Sequence, residues 1–285
     1  MTNVVIAGIT PASMHLLRFA LSQPTIEVVG IVTRQPGDEL TYGFVNDSAA
    51  SQFRGTAAIE DEKLVLAGRH GRGGLRHDLI PVYAELAEAL AAARSVDCVV
   101  LAGAWEETGD LDVPKVVRLG SIADPVVDAV ARVADALGRI GPVAHTFTAT
   151  IGEANEGATQ REQLVAARGV RAGDAVRPGQ LAGGLSLDVI GAVPGRALVT
   201  SVFLVLGAQT DEESVLRRLR AAGRGALADC VRQDPGPMGS ADVVGSPVAV
   251  LDLSTLRVDD ARIAFALFVD PLAARTRLAC AAVTG

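Results

Sequence analysis

Residues 3–17 read NVVIAGITPASMHLL, and no other stretch limits the fold as sharply. An apolar strand ends in Gly8 and runs straight into a helical pattern of Met14, Leu16, Leu17 and Ala20, which is how a βαβ dinucleotide-binding unit begins. The phosphate-binding fingerprint of such a unit is GxGxxG, whereas the six positions here are Gly8, Ile9, Thr10, Pro11, Ala12 and Ser13. Only the first glycine is kept. Thr10 adds a side chain where the pyrophosphate would lie, and Pro11 removes one N–H from the helix N-terminus. Two lost or blocked donors weaken binding by roughly ten- to a thousand-fold, although the Thr10 and Ser13 hydroxyls offer partial compensation. Where an acidic residue would accept from the adenosine ribose, the second strand ends in Thr33 and Arg34. These two form either a site for a 2′-phosphate, which makes the ligand NADP-like, or a solvated strand end. The candidate cofactor-binding set is therefore Gly8, Thr10, Ser13, Thr33 and Arg34, with NAD or NADP as the cofactor in view.

The rest of the first half repeats the strand–helix alternation. A strand over 3–8, a helix over 11–21 and a strand over 26–33 precede the polar stretch RQPGDELTYGFVNDSAASQFRG and a short strand KLVLAGR. A helix is expected over LIPVYAELAEALAAARS, followed by the apolar run VDCVVLAGAW, suited to a strand buried on both faces. A further strand, KVVRLG, leads into a helix capped by Asp124 with Pro125 at its first position. Beyond it the chain turns to long β runs, PVAHTFTATIG, LSLDVIGAVP, ALVTSVFLVLG, SPVAVLDLSTLRV and RIAFALFVD. One helix interrupts them, opened by a capping box of Thr210 and Glu213. The fold class is α/β, with a Rossmann-type nucleotide domain and an α+β domain built on a mixed or antiparallel sheet. The polar stretch 152–183 reads as a surface excursion or an oligomer contact.

Composition narrows the function classes. The 285 residues carry a net charge of −7 with no Lys/Arg run, which disfavours a nucleic-acid partner. No stretch approaches the length of a membrane span and no basic leader opens the chain, so a cytoplasmic protein is expected. Richness in Ala, Val, Gly and Arg points to a high-GC bacterial genome. Cys98, Cys230 and Cys280 lie far apart in apolar surroundings and read as buried thiols. No His, Cys or carboxylate spacing suggests a metal site.

Several stretches, in order along the chain, resemble phosphorylating glyceraldehyde-3-phosphate dehydrogenase. They are YGFVNDSAASQFRG, VDCVVLAGAWEETGD, TDEESVLRRLRAA, SADVVGSPVAVLDLSTLRV and AFALFVDPLAARTRL, with a deletion near residues 109–116. The resemblance implies a nucleotide domain over 1–119 completed by a C-terminal helix over 272–285, a catalytic-like domain over 120–271, and a homo-oligomer, dimer or tetramer. The family's chemistry is thiolate attack on an aldehyde, acid–base work by a histidine, hydride transfer to NAD, and phosphate binding by arginine and threonine. Its residues do not carry over. The nucleophile segment falls on SIADPV, which puts Ile122, or with a one-residue slip Ser121, at the cysteine. The histidine becomes Gly152, the substrate loop after Pro178 reads Gly179, Gln180, Leu181 and Ala182, and a substrate arginine becomes Ile190. The asparagine that orients the nicotinamide aligns with Asp270. Acylating, phosphorylating aldehyde oxidation is therefore expected to be lost.

The first reading is a member of this superfamily recruited to another reaction on a small or nucleotide-like metabolite, in bacterial specialised metabolism. Ser121, Asp124, Glu153 and Asp270 are its candidate acid–base groups. Asn155 and Glu156 follow Glu153 near the expected position of the old site, while Asp124 doubles as a helix cap. The alternatives are a non-catalytic binding or assembly subunit, and an NADP-dependent reductase working by direct hydride transfer with Arg34 on the 2′-phosphate. His15, His145 and Trp105 read as structural residues first.

Overall fold

The apolar run Val4–Ala7 is a central strand, paired in parallel along both edges and buried on both faces by residues of the helices that cover the sheet. In the computed structural model, which describes residues 1–35, 37–46, 53, 55–69, 75–138, 143–152, 185–187, 198–236 and 240–285, this run is β1 (Thr2–Ala7). It pairs with β2 (Ile26–Val32) and β6 (Cys98–Leu101). The chain forms two compact units, Met1–Ile122 with Arg275–Gly285, and Ala123–Ala274.

In the first unit the sheet has the order β3-β4-β5-β2-β1-β6-β7. From β5 (Leu75–Tyr83) to β7 (Val116–Arg118) the pairing is parallel, while β3 (Gly55–Glu60) and β4 (Lys63–Arg69) add an antiparallel edge. Alternation along β1 splits the core. Val4 and Ile6 pack with Met14, Leu17 and Ala20 of α1 (Pro11–Ala20), Leu40 and Phe44 of α2 (Gly37–Asn46), and the end of the last helix, α6 (Pro271–Thr284). Val5 and Ala7 pack instead with Leu86 and Ala89 of α3 (Leu86–Ala92). Helices on both faces of a mixed sheet make this an α/β layout compatible with a Rossmann-like unit.

Two local expectations are corrected here. The helix expected from Leu79 starts only at Leu86, because Leu79 to Tyr83 belong to β5. Leu79 is exposed and Ile80 buried, a period of two that LIPVY is too short to advertise. Pro81 sits where β5 leaves β4 for β2, a place that tolerates a missing N–H. The polar stretch after Thr33 contains α2, and β3 follows from its last residue, Gly55; neither is among the expected elements, and Leu40 and Phe44 are the buried apolar residues of α2, a thin helical signal.

The second unit is built on a sheet of order β11-β12-β13-β10-β8-β9. Its middle is antiparallel, from β12 (Ala249–Asp259) through β13 (Arg262–Val269) and β10 (Leu198–Leu206) to β8 (Val143–Gly152). Its edges are parallel, because β11 (Val231–Asp234) joins β12 and β9 (Leu185–Leu187) joins β8. The sheet is thus mixed. Residues 188–194 of the run LSLDVIGAVP, and 153–183 of the polar stretch, lie outside the described residues.

α4 (Pro125–Gly138) and α5 (Glu212–Gly223) pack through Val130, Val133, Leu137, Val215 and Leu219 onto Val202, Leu204, Phe265 and Leu267 of the sheet. The cap of α5 is Asp211, one residue later than expected: its carboxylate accepts from the Ser214 N–H at 2.7 Å. Thr210 is instead tied by its own N–H to the Asp260 carbonyl, 3.0 Å away, which holds it outside the helix. The bonds from the Ser214 N–H and hydroxyl hold the Asp211 carboxyl below its ordinary pKa.

Among the described residues no helix is long and apolar enough to cross a membrane. Leu219 is fully buried between α5 and the sheet, so Leu219→Ala is expected to cost about 2–5 kcal/mol, read as a lower urea midpoint.

Candidate functional site

The carboxyl ends of β1, β2 and β6 are where a parallel α/β sheet presents a ligand crevice. Gly8 leaves β1 with φ +94°, and a Cβ there would strike the Ala102 carbonyl oxygen and come within 2.9 Å of Trp105 Cδ1. Only glycine fits. Its counterpart after β6, Gly103, has φ +58° and lies against Thr10 Cγ2. Trp105 follows on a short 3-10 turn, Gly103–Glu107, which brings the edge of its indole beside the Gly8 turn.

The N-terminus of α1 is closed by its own residues. Thr10 is the N-cap and accepts from the Ser13 N–H at 3.2 Å, while Ser13 Oγ accepts from the Thr10 N–H at 2.8 Å. Ser13 Oγ in turn donates to the Gly8 carbonyl at 2.8 Å, and the residue is only 1% exposed. Both hydroxyls assigned to phosphate thus serve the backbone. With Pro11 lacking an N–H and the Ser13 amide capped, Ala12 carries the one amide of the first three helical positions that the described chain does not hold.

At the end of β2, Thr33 is buried; its N–H donates to the Tyr83 carbonyl and its hydroxyl oxygen accepts from the Gln35 N–H at 3.0 Å. Arg34 lies with its guanidinium 5.0 Å above the Trp105 ring and forks onto Glu85, with N–O distances of 2.9 to 3.2 Å. Their side chains are 68% and 51% exposed, so the pair contributes at most about 1 kcal/mol and the cation–π contact a similar amount. Small as these are, they settle the local charge: a 2′-phosphate at Arg34 would face the Glu85 carboxylate. Glu85 occupies the N-cap position of α3 without capping it, which leaves its carboxylate for Arg34. Sequence reasoning took Glu85 for a helix residue and Trp105 for simple packing, and no local signal joined either to Arg34.

Of the acid–base candidates, Ser121 belongs to the first unit and Asp124 and Asp270 to the second. In the first unit, Ser121 is exposed at the end of the turn Leu119–Ser121, and its hydroxyl has no hydrogen-bond partner among the described residues. A serine without a base is a poor nucleophile. The preceding Gly120 N–H donates to both Glu106 carboxylate oxygens at 3.1 Å, and Ile122 packs half-buried on the apolar core. In the second unit, Asp124 Oδ1 accepts from the Val126 and Val127 N–H groups and caps α4. Asp270 is 3% exposed: Oδ1 accepts from the N–H groups of Leu272 and Ala273 at the head of α6, and Oδ2 from that of Gly245 at 2.7 Å. Both carboxylates act as caps. Glu153, Asn155, Glu156, Pro178, Gly179, Gln180, Leu181, Ala182 and Ile190 lie outside the described residues. The backbone places His145 and Gly152 in β8.

The thiols are remote from such chemistry. Cys98, Cys230 and Cys280 are free and buried. Burial pushes Cys98 up to about 11, against a smaller opposing pull from Lys115, and pushes Cys280 up to about 12. Among the described residues no group of three or more His, Cys, Asp or Glu side chains converges to hold a metal ion. No protein-family model and no curated protein matches the chain.

Native protein at pH 8 is therefore expected to react negligibly with a thiol reagent, and unfolded protein fully; labelling with Ellman's reagent reads this. Because the folded state holds these protons above the ordinary thiol value of 9.0, stability should fall as pH climbs through 9 towards 11 and 12, measured by urea unfolding across that range.

Proposed function

We propose that the chain is a divergent glyceraldehyde-3-phosphate dehydrogenase-like protein that handles a small metabolite without thiol chemistry and without a nicotinamide dinucleotide. The observation that carries this reading is the closed turn at Gly8. The Trp105 indole edge stands beside it, the Thr10–Ser13 box spends its hydroxyls, and of the first three helical positions only Ala12 keeps an amide that the described chain does not hold. The collinear resemblance along the sequence supports the family and the finer Rossmann-type reading, with a two-sided sheet of order β5-β2-β1-β6-β7 in agreement. The buried thiols support the loss of acylation.

A second reading, the non-catalytic binding or assembly subunit, is favoured by the use of Asp124 and Asp270 as caps, which removes two of the four acid–base candidates. The reductase reading is weakened by the pairing of Arg34 with Glu85.

Calorimetric and thermal-shift titration with NAD and NADP is expected to give no saturable binding below millimolar concentration, and glyceraldehyde 3-phosphate with phosphate and NAD no acyl phosphate. Micromolar NADP binding that disappears in Arg34→Ala would establish the reductase instead. Turnover of any hydroxylated metabolite that survives in the wild type and is abolished by Ser121→Ala would separate the recruited enzyme from the binding subunit.

A further inference from the structure

One edge of the first unit's sheet is a regular strand without a neighbour among the described residues. β3 ends the order β3-β4-β5-β2-β1-β6-β7, and its six residues, GTAAIE, pair with β4 from Gly55↔Gly68 to Glu60↔Lys63 without a shift in register. The hairpin fixes which of its backbone groups face outward. Asp61 and Glu62 both take positive φ, 49° and 59°, as in the two-residue turn that closes on a hydrogen-bonded pair, here Glu60 and Lys63. Bonded and non-bonded pairs alternate along an antiparallel ladder, so Ala58 and Thr56 also bond to β4, while Gly55, Ala57 and Ile59 turn their N–H and C=O groups away from it. Among the described residues no backbone hydrogen bond takes these outward groups.

Such an edge is a template for another strand, and proteins usually blunt it with a proline, a lysine, a bulge or an inward-pointing charge. β3 has none of these. Ala57 and Ile59 pack on the apolar core, so Thr56, Ala58 and Glu60 lie on the opposite face, with Glu60 at the last position.

The order of residues in the strand selects the occupant. A parallel copy would set Glu60 against Glu60, a like-charge pair. An antiparallel copy centred on Ala57 sets Gly55 against Ile59 and Ala57 against Ala57, so the outward groups of both strands match across a two-fold axis in about six hydrogen bonds. Thr56 then faces Ala58 on the other face, small against small. The two Glu60 residues stand about 20 Å apart, well beyond a Debye length of about 8 Å at physiological salt. A register two residues further on runs Gly55 into the Asp61–Glu62 turn and leaves it unmatched. In sequence, Arg54 precedes the strand and Glu60 closes it, a polarity that an antiparallel copy of itself complements.

We propose that β3 is an association edge, on which a second copy of this chain pairs its own β3 antiparallel and joins the two seven-stranded sheets across a two-fold axis. This surface goes beyond the functional reading and does not depend on it.

The test is analytical ultracentrifugation of the full chain across the micromolar range, on the wild type and two double variants, Thr56→Lys with Ala58→Lys and Thr56→Lys with Ala58→Glu. Thr56 is exposed and Ala58 half-buried, both on the face away from the core, and circular dichroism checks that the variants fold. The wild type is expected to show a monomer–dimer equilibrium. In the first variant lysines oppose each other across the axis and weaken the dimer about tenfold; in the second each introduced lysine meets a glutamate of the other copy and the dimer is kept. A wild type that stays monomeric, association lost in both variants, or association kept in both, overturns the assignment while the functional reading stands. Binding of NAD or NADP sinks the functional reading and leaves the pairing of β3 to be judged by these variants.

Discussion

The approach of the Gly8 turn to the Ala102 carbonyl and the Trp105 indole is the contact around which the first unit's ligand face is arranged. In a parallel sheet covered on both sides by helices, ligands reach the protein at the carboxyl ends of the strands, so the space between β1 and β6 decides what can enter. Here the edge of the Trp105 indole stands beside the Gly8 turn. The glycine that opens many dinucleotide sites is retained for a different physical reason: a Cβ would collide with β6, whatever the ligand.

A second consequence follows from short-range hydrogen bonding. Thr10 and Ser13 satisfy each other's backbone, Asp124 caps α4, and Asp270 ties the head of α6 to the Gly245 amide. Each such group meets the demand of helix ends for partners to their unpaired N–H groups. A carboxylate accepting two or three backbone N–H groups is fixed in place and has little capacity left for substrate.

Charge at the end of β2 follows the same economy. Arg34 is balanced by Glu85 and laid on Trp105, so a residue that reads as a phosphate ligand in isolation belongs to a neutralised, partly exposed cluster. On either side of Arg34, Thr33 and Gln35 line a cavity together with Glu62 of the β3–β4 turn, a lining with one carboxylate and no cation among the described residues. Phosphate recognition is disfavoured at both places, by occupancy in one and by charge in the other.

How much of this was legible depended on the range of the interaction. The strand–turn–helix opening, the Asp124 cap and Pro125 start of α4, and the long β runs of the second unit all follow from patterns a few residues wide. LIPVY misled because five residues cannot separate a strand's period from a helix's, and α2 and β3 went unread because their buried residues are few and widely spaced. By itself the sequence determined that strands and helices alternate around β1, that only the first fingerprint glycine is present, and that the three cysteines lie far apart in apolar surroundings. Only the tertiary structure decided that Trp105 stands beside Gly8, that Glu85 neutralises Arg34, and that Glu62 meets Thr33 across a cavity. These partners are 97, 51 and 29 positions apart in the chain, and it is the pairing of strands, not any local propensity, that brings them together.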